Sequence, residues 1–180
     1  MFNFFSSLIV MALLAPEIKV PQRPMSHPLN PILGDNETLK RTHVKLLVYN
    51  LFLRPPGIAD DHHDDYKNER LNDFLTIIQD YDIICLEEVF GLLNNRKKKI
   101  IEHAKKAGFS YYVDSPQPDY KSGFLVGGGL LIISRFPIVA SEFMPYTRGN
   151  NEDFVVLKGV LYAQIQISSQ RLHLSHGAQA

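Results

Sequence analysis

The chain has 180 residues, which is enough for one domain with a sizeable core. Apolar residues make up 45% of it and charged residues 21%, and this composition excludes a disordered or fibrous protein. Basic and acidic residues number 19 each, so the charge balance gives no support to a nucleic-acid backbone as partner, although it does not exclude a local phosphate-binding patch.

The first 42 residues divide into an apolar segment and a proline-rich stretch. Residues 4–15 (FFSSLIVMALLA) have the length of a signal-peptide core, but no Lys or Arg precedes them. A signal or membrane-proximal anchor within 1–20, and hence a secreted or membrane-associated location, stays open beside an ordinary packing segment. The prolines of 16–42 predict an irregular linker or wrapping arm, so we expect the folded domain to cover 43–180.

Two apolar strands with a helix between them open the predicted domain. Residues 44–50 (VKLLVYN) form the first strand, and 82–87 form a continuous apolar run typical of a strand buried on both faces. Residues 66–81 carry apolar side chains at helical spacing. A strand, crossover helix and parallel strand bring both strand ends to the same edge of a sheet.

The second half is richer in strands. Gly108 ends a second predicted helix, 92–107, and residues 147–154 form a polar loop. The order of helices early and strands late predicts an α/β (α+β) fold around a mixed sheet. The remaining strands are predicted over 109–113, 130–134, 138–146 and 155–167, with one more beginning at 172–174.

Asn50 and Glu88 follow these two strands and suit one divalent metal. Glu87 and Glu88 come directly after a buried run, and because strand side chains alternate, one of the two points inward. A buried carboxylate needs a compensating charge, and Mg²⁺ accepts one or two carboxylates while leaving positions for phosphate. Asn50 is also compatible with a simple turn at the strand end.

Three further segments have both structural and functional interpretations. Gly127 to Gly129 permit close backbone approach, to ligand or to a neighbouring strand. Arg135 suits anion binding or, preferably, a structural ion pair. Lys158 and Gly159 suit a phosphodiester contact, or simply the start of a strand.

Other chemically tempting residues favour structural interpretations. The run 60–65 (DDHHDD) mixes ligand types in a loop, which favours a solvated loop and helix cap over a metal site. Cys85 lies in an apolar strand and is predicted to be a buried, unreactive thiol. His173 and His176 are expected at the surface, although one of them could face the metal edge as a phosphate donor.

At these residues the chain resembles the endonuclease/exonuclease/phosphatase superfamily, and within it the Mg²⁺-dependent neutral sphingomyelinases. The matching segments run in the family's order through 44–167. They are Tyr49-Asn50, the 86–90 segment LEEVF, the 128–138 segment GGLLIISRFPI and the 158–161 segment KGVL.

The resemblance implies a four-layer β-sandwich in which Glu88 binds Mg²⁺ and Asn50 lies beside metal and phosphate. It implies that Lys158 and Gly159 bind substrate and that His176 matches the histidine of a Thr-His-Leu-Gln segment with disturbed spacing. The family's later Asp-x-Asn and Asp-His pairs are not in this sequence. We therefore expect 43–180 to be the N-terminal portion of the domain, with little or no turnover alone.

The implied function is hydrolysis of sphingomyelin to ceramide and phosphocholine at a membrane surface. Two alternatives stay open, namely a nucleic-acid phosphodiesterase of the same superfamily and an inactive, truncated remnant. The neutral charge argues mildly against nucleic acid.

Overall fold

The computed structural model describes residues 27–28, 43–55, 66–118, 123–147 and 155–177. The apolar segment of residues 1–20 and the acidic and histidine run 60–65 lie outside the described residues. In chain order the elements are β1 (His27–Pro28), β2 (Leu46–Leu53), α1 (Lys67–Ile77), β3 (Ile83–Val89), α2 (Arg96–Lys106), β4 (Tyr111–Asp114), β5 (Val126–Gly127), β6 (Leu131–Ser134), β7 (Ile138–Pro145), β8 (Val156–Leu157), β9 (Gly159–Ile167) and β10 (Gln170–Gly177).

Two main sheets carry these strands. The first is a mixed sheet in the order β1-β4-β6-β3-β2, in which only β2 and β3 run parallel. The second is antiparallel, in the order β10-β9-β7. In addition, β5 and β8 form a separate parallel pair of two residues each. The parallel pair β2–β3 is joined by α1, which confirms the predicted crossover.

The helices cover one face of the first sheet. Leu71 and Phe74 of α1 and Ile100 of α2 pack on alternate residues of β3, which are fully buried. Because one face of α1 is buried in this cluster, its apolar residues recur at helical spacing. That spacing is what predicts a helix over 66–81 from the sequence. A short 3₁₀ turn, Ile78–Asp80, continues α1 toward β3.

The second sheet covers the opposite face. Ile83 and Cys85 of β3 contact a cluster that includes Ile165 of β9 and Leu174 of β10. The described residues thus form a helix layer and two packed sheets, three layers of the predicted sandwich. Cys85 is buried as predicted, and burial, assisted by Glu87, raises its pKa to about 12, so the thiol is unreactive.

Several element boundaries differ from the predicted ones, and three of them bear on the site. β2 continues past Asn50 to Leu53, and α2 begins at Arg96 rather than at residue 92. The Oδ1 atom of Asn94 accepts a hydrogen bond from the Arg96 N–H, which fixes the later start. The strand predicted over 155–167 is interrupted at Lys158, whose N–H donates to the Val156 carbonyl.

Arg135 is a structural residue, as preferred from sequence. Its guanidinium donates to the carbonyls of Tyr81 and Ala107 and lies 3.8 Å from the Asp82 carboxylate. It also stacks over the Phe109 ring. These contacts connect the end of β6 to the ends of both helices, so the anion-binding alternative for Arg135 is not needed.

The arm that precedes the domain contributes one described contact. His27 and Pro28 pair antiparallel with β4 at the edge of the first sheet, and an edge strand is where a sheet tolerates proline. Within the described residues no helix is long and apolar enough to cross a membrane.

Candidate metal and phosphate site

Asn50 and Glu88 meet at the carboxyl ends of the two parallel strands. The Nδ2 atom of Asn50 donates to Oε1 of Glu88 at 2.8 Å, and Oδ1 of Asn50 accepts the Phe52 N–H at 2.8 Å. Asn50 therefore makes the predicted turn contact and also orients the carboxylate. The sequence placed both residues at one edge, and the structure brings their side chains into direct contact.

A bulge produces this contact. Asn50 pairs with Glu87, but the next pair is Leu53 with Val89, so two residues of β2 stand opposite one residue of β3. Phe52 and Glu88 both have φ of 54°, in the left-handed region. Such bulges re-aim side chains at strand ends. The positive φ takes Glu88 out of the strand alternation and directs it toward Asn50.

The two adjacent glutamates have different surroundings. Glu87 is 7% exposed, and burial, with a smaller contribution from the negative charge of Glu88, raises its pKa. Glu88 is partly exposed, and its Oε2 atom lies 3.4 Å from Nε of Arg54. Arg54 in turn stacks over the Phe52 ring. The sequence analysis missed Arg54, since a single arginine four residues after Asn50 carries no recognisable spacing.

The expectation that both late histidines are surface residues is wrong for His176. Its side chain is 1% exposed, and Nε2 donates to the carbonyl oxygen of Leu86 at 3.0 Å. Because a carbonyl only accepts, Nε2 carries the hydrogen and Nδ1 carries a lone pair. Nδ1 is buried and has no partner among the described residues. Burial lowers the pKa of His176, against a smaller raising effect of the hydrogen bond to Leu86.

His176 is thereby fixed beside the strand that carries Glu88. It belongs to β10 of the second sheet, whereas Leu86 lies two residues before Glu88 on β3 of the first sheet. His173, on the same strand, instead bonds through Nδ1 to the Tyr162 hydroxyl at 2.6 Å. Of the two candidates, His176 is the one held against the glutamate strand.

The glycine segment connects the end of β3 with the turn that carries Lys158. Gly129 has φ of 69°, and a Cβ built there would lie 3.2 Å from the Glu88 Cα. A Cβ on Gly128 would lie 2.6 Å from the carbonyl oxygen of Leu157. The predicted close backbone approach is confirmed, and it places the Lys158 backbone next to the segment that contacts Glu88.

Close packing against β7 requires a glycine at position 159. A Cβ at this position would lie 2.3 Å from the Met144 carbonyl oxygen and 2.6 Å from Cζ of Phe143. The glycine therefore allows β9 to start directly against β7. Its predicted contact with substrate stays a prediction.

The donor set fits a magnesium ion that keeps part of its water. Among the described ranges no group of three or more His, Cys, Asp or Glu side chains is arranged to hold a metal. Glu88 offers one carboxylate, with the Asn50 amide beside it. Mg²⁺ is commonly bound through one or two carboxylates, with water and phosphate oxygens as further ligands. The residues suit that mode and not an ion fully enclosed by protein.

Comparison with known proteins identifies the family of this fold and site. The Endonuclease/Exonuclease/phosphatase family matches residues 47–169. The chain belongs to this family. A sphingomyelinase of Dictyostelium discoideum is 48% identical over 93 residues, which cover 51% of the chain and 20% of that protein. The family and the sphingomyelinase-like branch predicted from sequence are confirmed.

Solved structures share the fold. Sphingomyelinase C from Streptomyces griseocarneus aligns with a TM-score of 0.60 and 21% identity over 72% of the chain and 47% of that structure. A variant of Staphylococcus aureus beta toxin with bound magnesium ions aligns with a TM-score of 0.56 and 21% identity over 73% of the chain and 48% of that structure. The predicted sandwich architecture is confirmed, and the chain spans about half the length of these structures.

Proposed function

We propose that this chain forms the metal- and phosphate-binding part of a Mg²⁺-dependent hydrolase that cleaves sphingomyelin to ceramide and phosphocholine. The observation that carries the proposal is the 2.8 Å hydrogen bond between Asn50 and Glu88 at adjoining strand ends. Similarity to the Dictyostelium sphingomyelinase supports the substrate. The magnesium ions in the Staphylococcus structure support the metal.

Each site residue has a role that follows from its surroundings. Glu88 would hold Mg²⁺ through its partly exposed carboxylate, and Asn50 Nδ2 orients that carboxylate. Bound Mg²⁺ would polarise a phosphoryl oxygen and stabilise the departing alkoxide. Lys158, beside the glycine segment, would neutralise phosphate charge, with Gly159 leaving room for the substrate.

His176 is assigned an acceptor role. Its Nε2–H is engaged by the Leu86 carbonyl, which leaves the lone pair of Nδ1 available. Because burial lowers the pKa of His176, the ring is neutral at pH 7 and Nδ1 accepts a hydrogen bond instead of donating one. This changes the donor role considered from sequence into an acceptor role at a buried atom, which would take a hydrogen bond from a molecule that enters the interior beside β3.

Magnesium binding is the primary test. We expect calorimetric titration of the purified chain with Mg²⁺ to show binding that weakens at least about tenfold in Glu88→Gln, because the charged ligand is lost while the side-chain shape is kept. Glu87→Gln is the matched control, since Glu87 is the adjacent, buried glutamate and the hydrogen bond from Asn50 Nδ2 goes to Glu88. Equal Mg²⁺ affinity in wild type and Glu88→Gln would contradict the proposal.

The second test measures turnover. Two substrates, sphingomyelin and plasmid DNA, separate the lipid hydrolase from a nucleic-acid phosphodiesterase. Phosphocholine release from sphingomyelin is measured with Mg²⁺ and with EDTA. We expect little or no release from the chain alone, and we expect any release to require Mg²⁺ and Glu88. Glu88-dependent nicking of plasmid DNA without phosphocholine release would instead support a nucleic-acid phosphodiesterase.

A further inference from the structure

The contact between Asn50 and Glu88 depends on the irregular ends of β2 and β3. Val48 of β2 packs against the cluster between the two sheets, so regular alternation directs Asn50 to that face. Leu86 of β3 packs into the cluster beneath the helices, so regular alternation would direct Glu88 to the opposite face. The bulge removes this separation, and any group that stabilises the bulge therefore also stabilises the contact between Asn50 and Glu88.

One arginine of α1 binds two successive carbonyls of the bulge. Nε of Arg70 donates to the Leu51 carbonyl at 2.8 Å, and Nη2 donates to the Phe52 carbonyl at 3.0 Å. In a regular strand successive carbonyls point to opposite sides, so a single guanidinium does not bind both. The left-handed φ of 54° at Phe52 accounts for the two carbonyls facing the same way. The planar fork of the arginine side chain matches this pair of acceptors.

Phe52 is also held at its N–H. The Phe52 N–H donates to Oδ1 of Asn50 at 2.8 Å, and Nδ2 of Asn50 donates to Oε1 of Glu88 at 2.8 Å. A left-handed φ is unfavourable for a bulky residue, so it persists only where the surroundings hold the backbone in place. Asn50 supplies a hydrogen bond at the Phe52 N–H, and Arg70 supplies one at the Phe52 carbonyl.

Arg70 is itself fixed in position by α1. It lies in the first turn of this helix, where its N–H donates to the Tyr66 carbonyl at 2.9 Å. The next residue, Leu71, is 1% exposed and packs with Phe74 in the cluster between the helices and the first sheet. Because these side chains anchor α1 in a close-packed core, the helix holds Arg70 at a set distance from the end of β2.

We propose that Arg70 is a positioning residue, which stabilises the bulge of β2 and so keeps Asn50 in contact with Glu88. Arg70 acts through these two residues and needs no contact of its own with metal or substrate. The consequence for Mg²⁺ rests on the proposed function. A purely structural role, in which Arg70 only connects α1 to β2, differs in its effect, because its loss would destabilise the whole domain and not the bulge alone.

Amide hydrogen exchange tests the positioning role without metal. The purified chain is exchanged in EDTA, and NMR follows the amides of Phe52 in the bulge and of Cys85 in the middle of β3. Exchange at Phe52 reports local opening of the bulge, whereas exchange at Cys85 reports opening of the fold. We expect Arg70→Gln to accelerate exchange at Phe52 roughly tenfold or more relative to Cys85, because two charge-assisted hydrogen bonds are lost.

Two further variants control for charge and for the loss of an arginine. Arg70→Lys keeps the charge but replaces the fork by a single ammonium group, so its exchange ratio should lie between those of wild type and Arg70→Gln. This variant also carries the test if Arg70→Gln does not fold. Arg96→Gln removes another partly exposed arginine, which donates to the Asn68 side chain at 3.1 Å, and should leave the ratio unchanged.

A double-mutant cycle connects the bulge to the metal. We expect Arg70→Gln to weaken Mg²⁺ binding roughly three- to tenfold in calorimetric titration, because the Glu88 carboxylate is no longer oriented by Asn50. In the Glu88→Gln background the same substitution should have no further effect, since Arg70 acts through Glu88.

The outcomes separate this inference from the proposed function. Equal acceleration at Phe52 and Cys85 in Arg70→Gln, or no acceleration at either, would overturn the positioning role. Losses of Mg²⁺ affinity that add up in the double variant would also overturn it. Local acceleration at Phe52 in a chain that binds no Mg²⁺ would keep Arg70 as the residue that positions Asn50 and Glu88, and would reject the magnesium site.

Discussion

If Glu88 binds Mg²⁺ as proposed, Arg54 and the metal ion would compete for the same carboxylate. Its Nε lies 3.4 Å from Oε2 of Glu88, whose other oxygen is engaged by Asn50. A positive charge at that distance repels a divalent cation and partly satisfies the carboxylate that would bind it. The Arg54 guanidinium would therefore take the place of the metal ion at the Glu88 carboxylate, and its removal should strengthen Mg²⁺ binding.

We expect Arg54→Gln to bind Mg²⁺ roughly three- to tenfold more tightly than wild type, with a gain that shrinks at high salt. Calorimetric titration at two salt concentrations measures both effects. Arg171→Gln, an exposed change on β10, is the control and should leave the affinity unaltered. Weaker binding in Arg54→Gln would show instead that Arg54 positions Glu88 for the metal.

Sequence patterns predict part of this site at residue level and miss the rest for definable reasons. Asn50 and Glu88 were predictable because each follows an apolar stretch of one strand in a parallel crossover. Arg54 was not, since its position depends on the bulge at Phe52. The burial of His176 was also missed, because its partner is the carbonyl of a strand 90 residues away.

At the scale of elements, β9 depends on the absence of a side chain at its first residue. The backbone of Gly159 lies so close to β7 that an added methyl group would meet the Met144 carbonyl. A backbone carbonyl in a strand cannot move aside without disturbing the ladder. Gly159 thus sets how β9 and β7 begin their pairing, next to Lys158.

Gly159→Ala should lower the free energy of unfolding by about 2 kcal/mol, the usual cost of forcing extra volume into a packed site. Thermal or denaturant unfolding measures this change. Gly91→Ala is the matched control, because a Cβ there meets nothing closer than 3.7 Å and should be neutral or slightly stabilising. A neutral result for Gly159→Ala would mean that β9 can shift away from β7.

Element type was more predictable than element ends. α1 is buried on one face, which gives it an apolar stripe at helical spacing. β3 is buried on both faces, which gives it a continuous run of apolar residues. The start of α2 was predicted four residues early because Leu93 adopts a left-handed φ and Asn94 binds the Arg96 N–H. Neither feature leaves a periodic pattern in the sequence.

At the scale of the whole molecule, His176 couples the stability of the sandwich to pH. The pKa of His176 is lowered from its ordinary value of 6.5 in the folded state, so below that pH the unfolded chain binds the proton first. The contribution of the neutral His176 ring to the free energy of unfolding is fully present above pH 6.5 and is lost progressively as the pH falls below that value. Glu87, whose pKa is raised in the folded state, has the opposite effect on how the free energy of unfolding depends on pH.

We expect the unfolding free energy of wild type to fall below pH 6.5 more steeply than that of His176→Gln, by up to about 1.4 kcal/mol per pH unit. Denaturant unfolding at several pH values gives both slopes, and the difference between them cancels the effect of Glu87. Parallel curves for wild type and His176→Gln would contradict this account.

The hydrogen bond from His176 to Leu86 has a consequence for how a ligand could enter. It joins β10, the last described strand of one sheet, to β3, the strand of the other sheet that carries Glu88. Separation of the two sheets at this point would break this hydrogen bond, two residues before Glu88 on β3. Under the proposed function, a ligand would reach the partly exposed carboxylate of Glu88 from solvent and not through a gap between the two sheets.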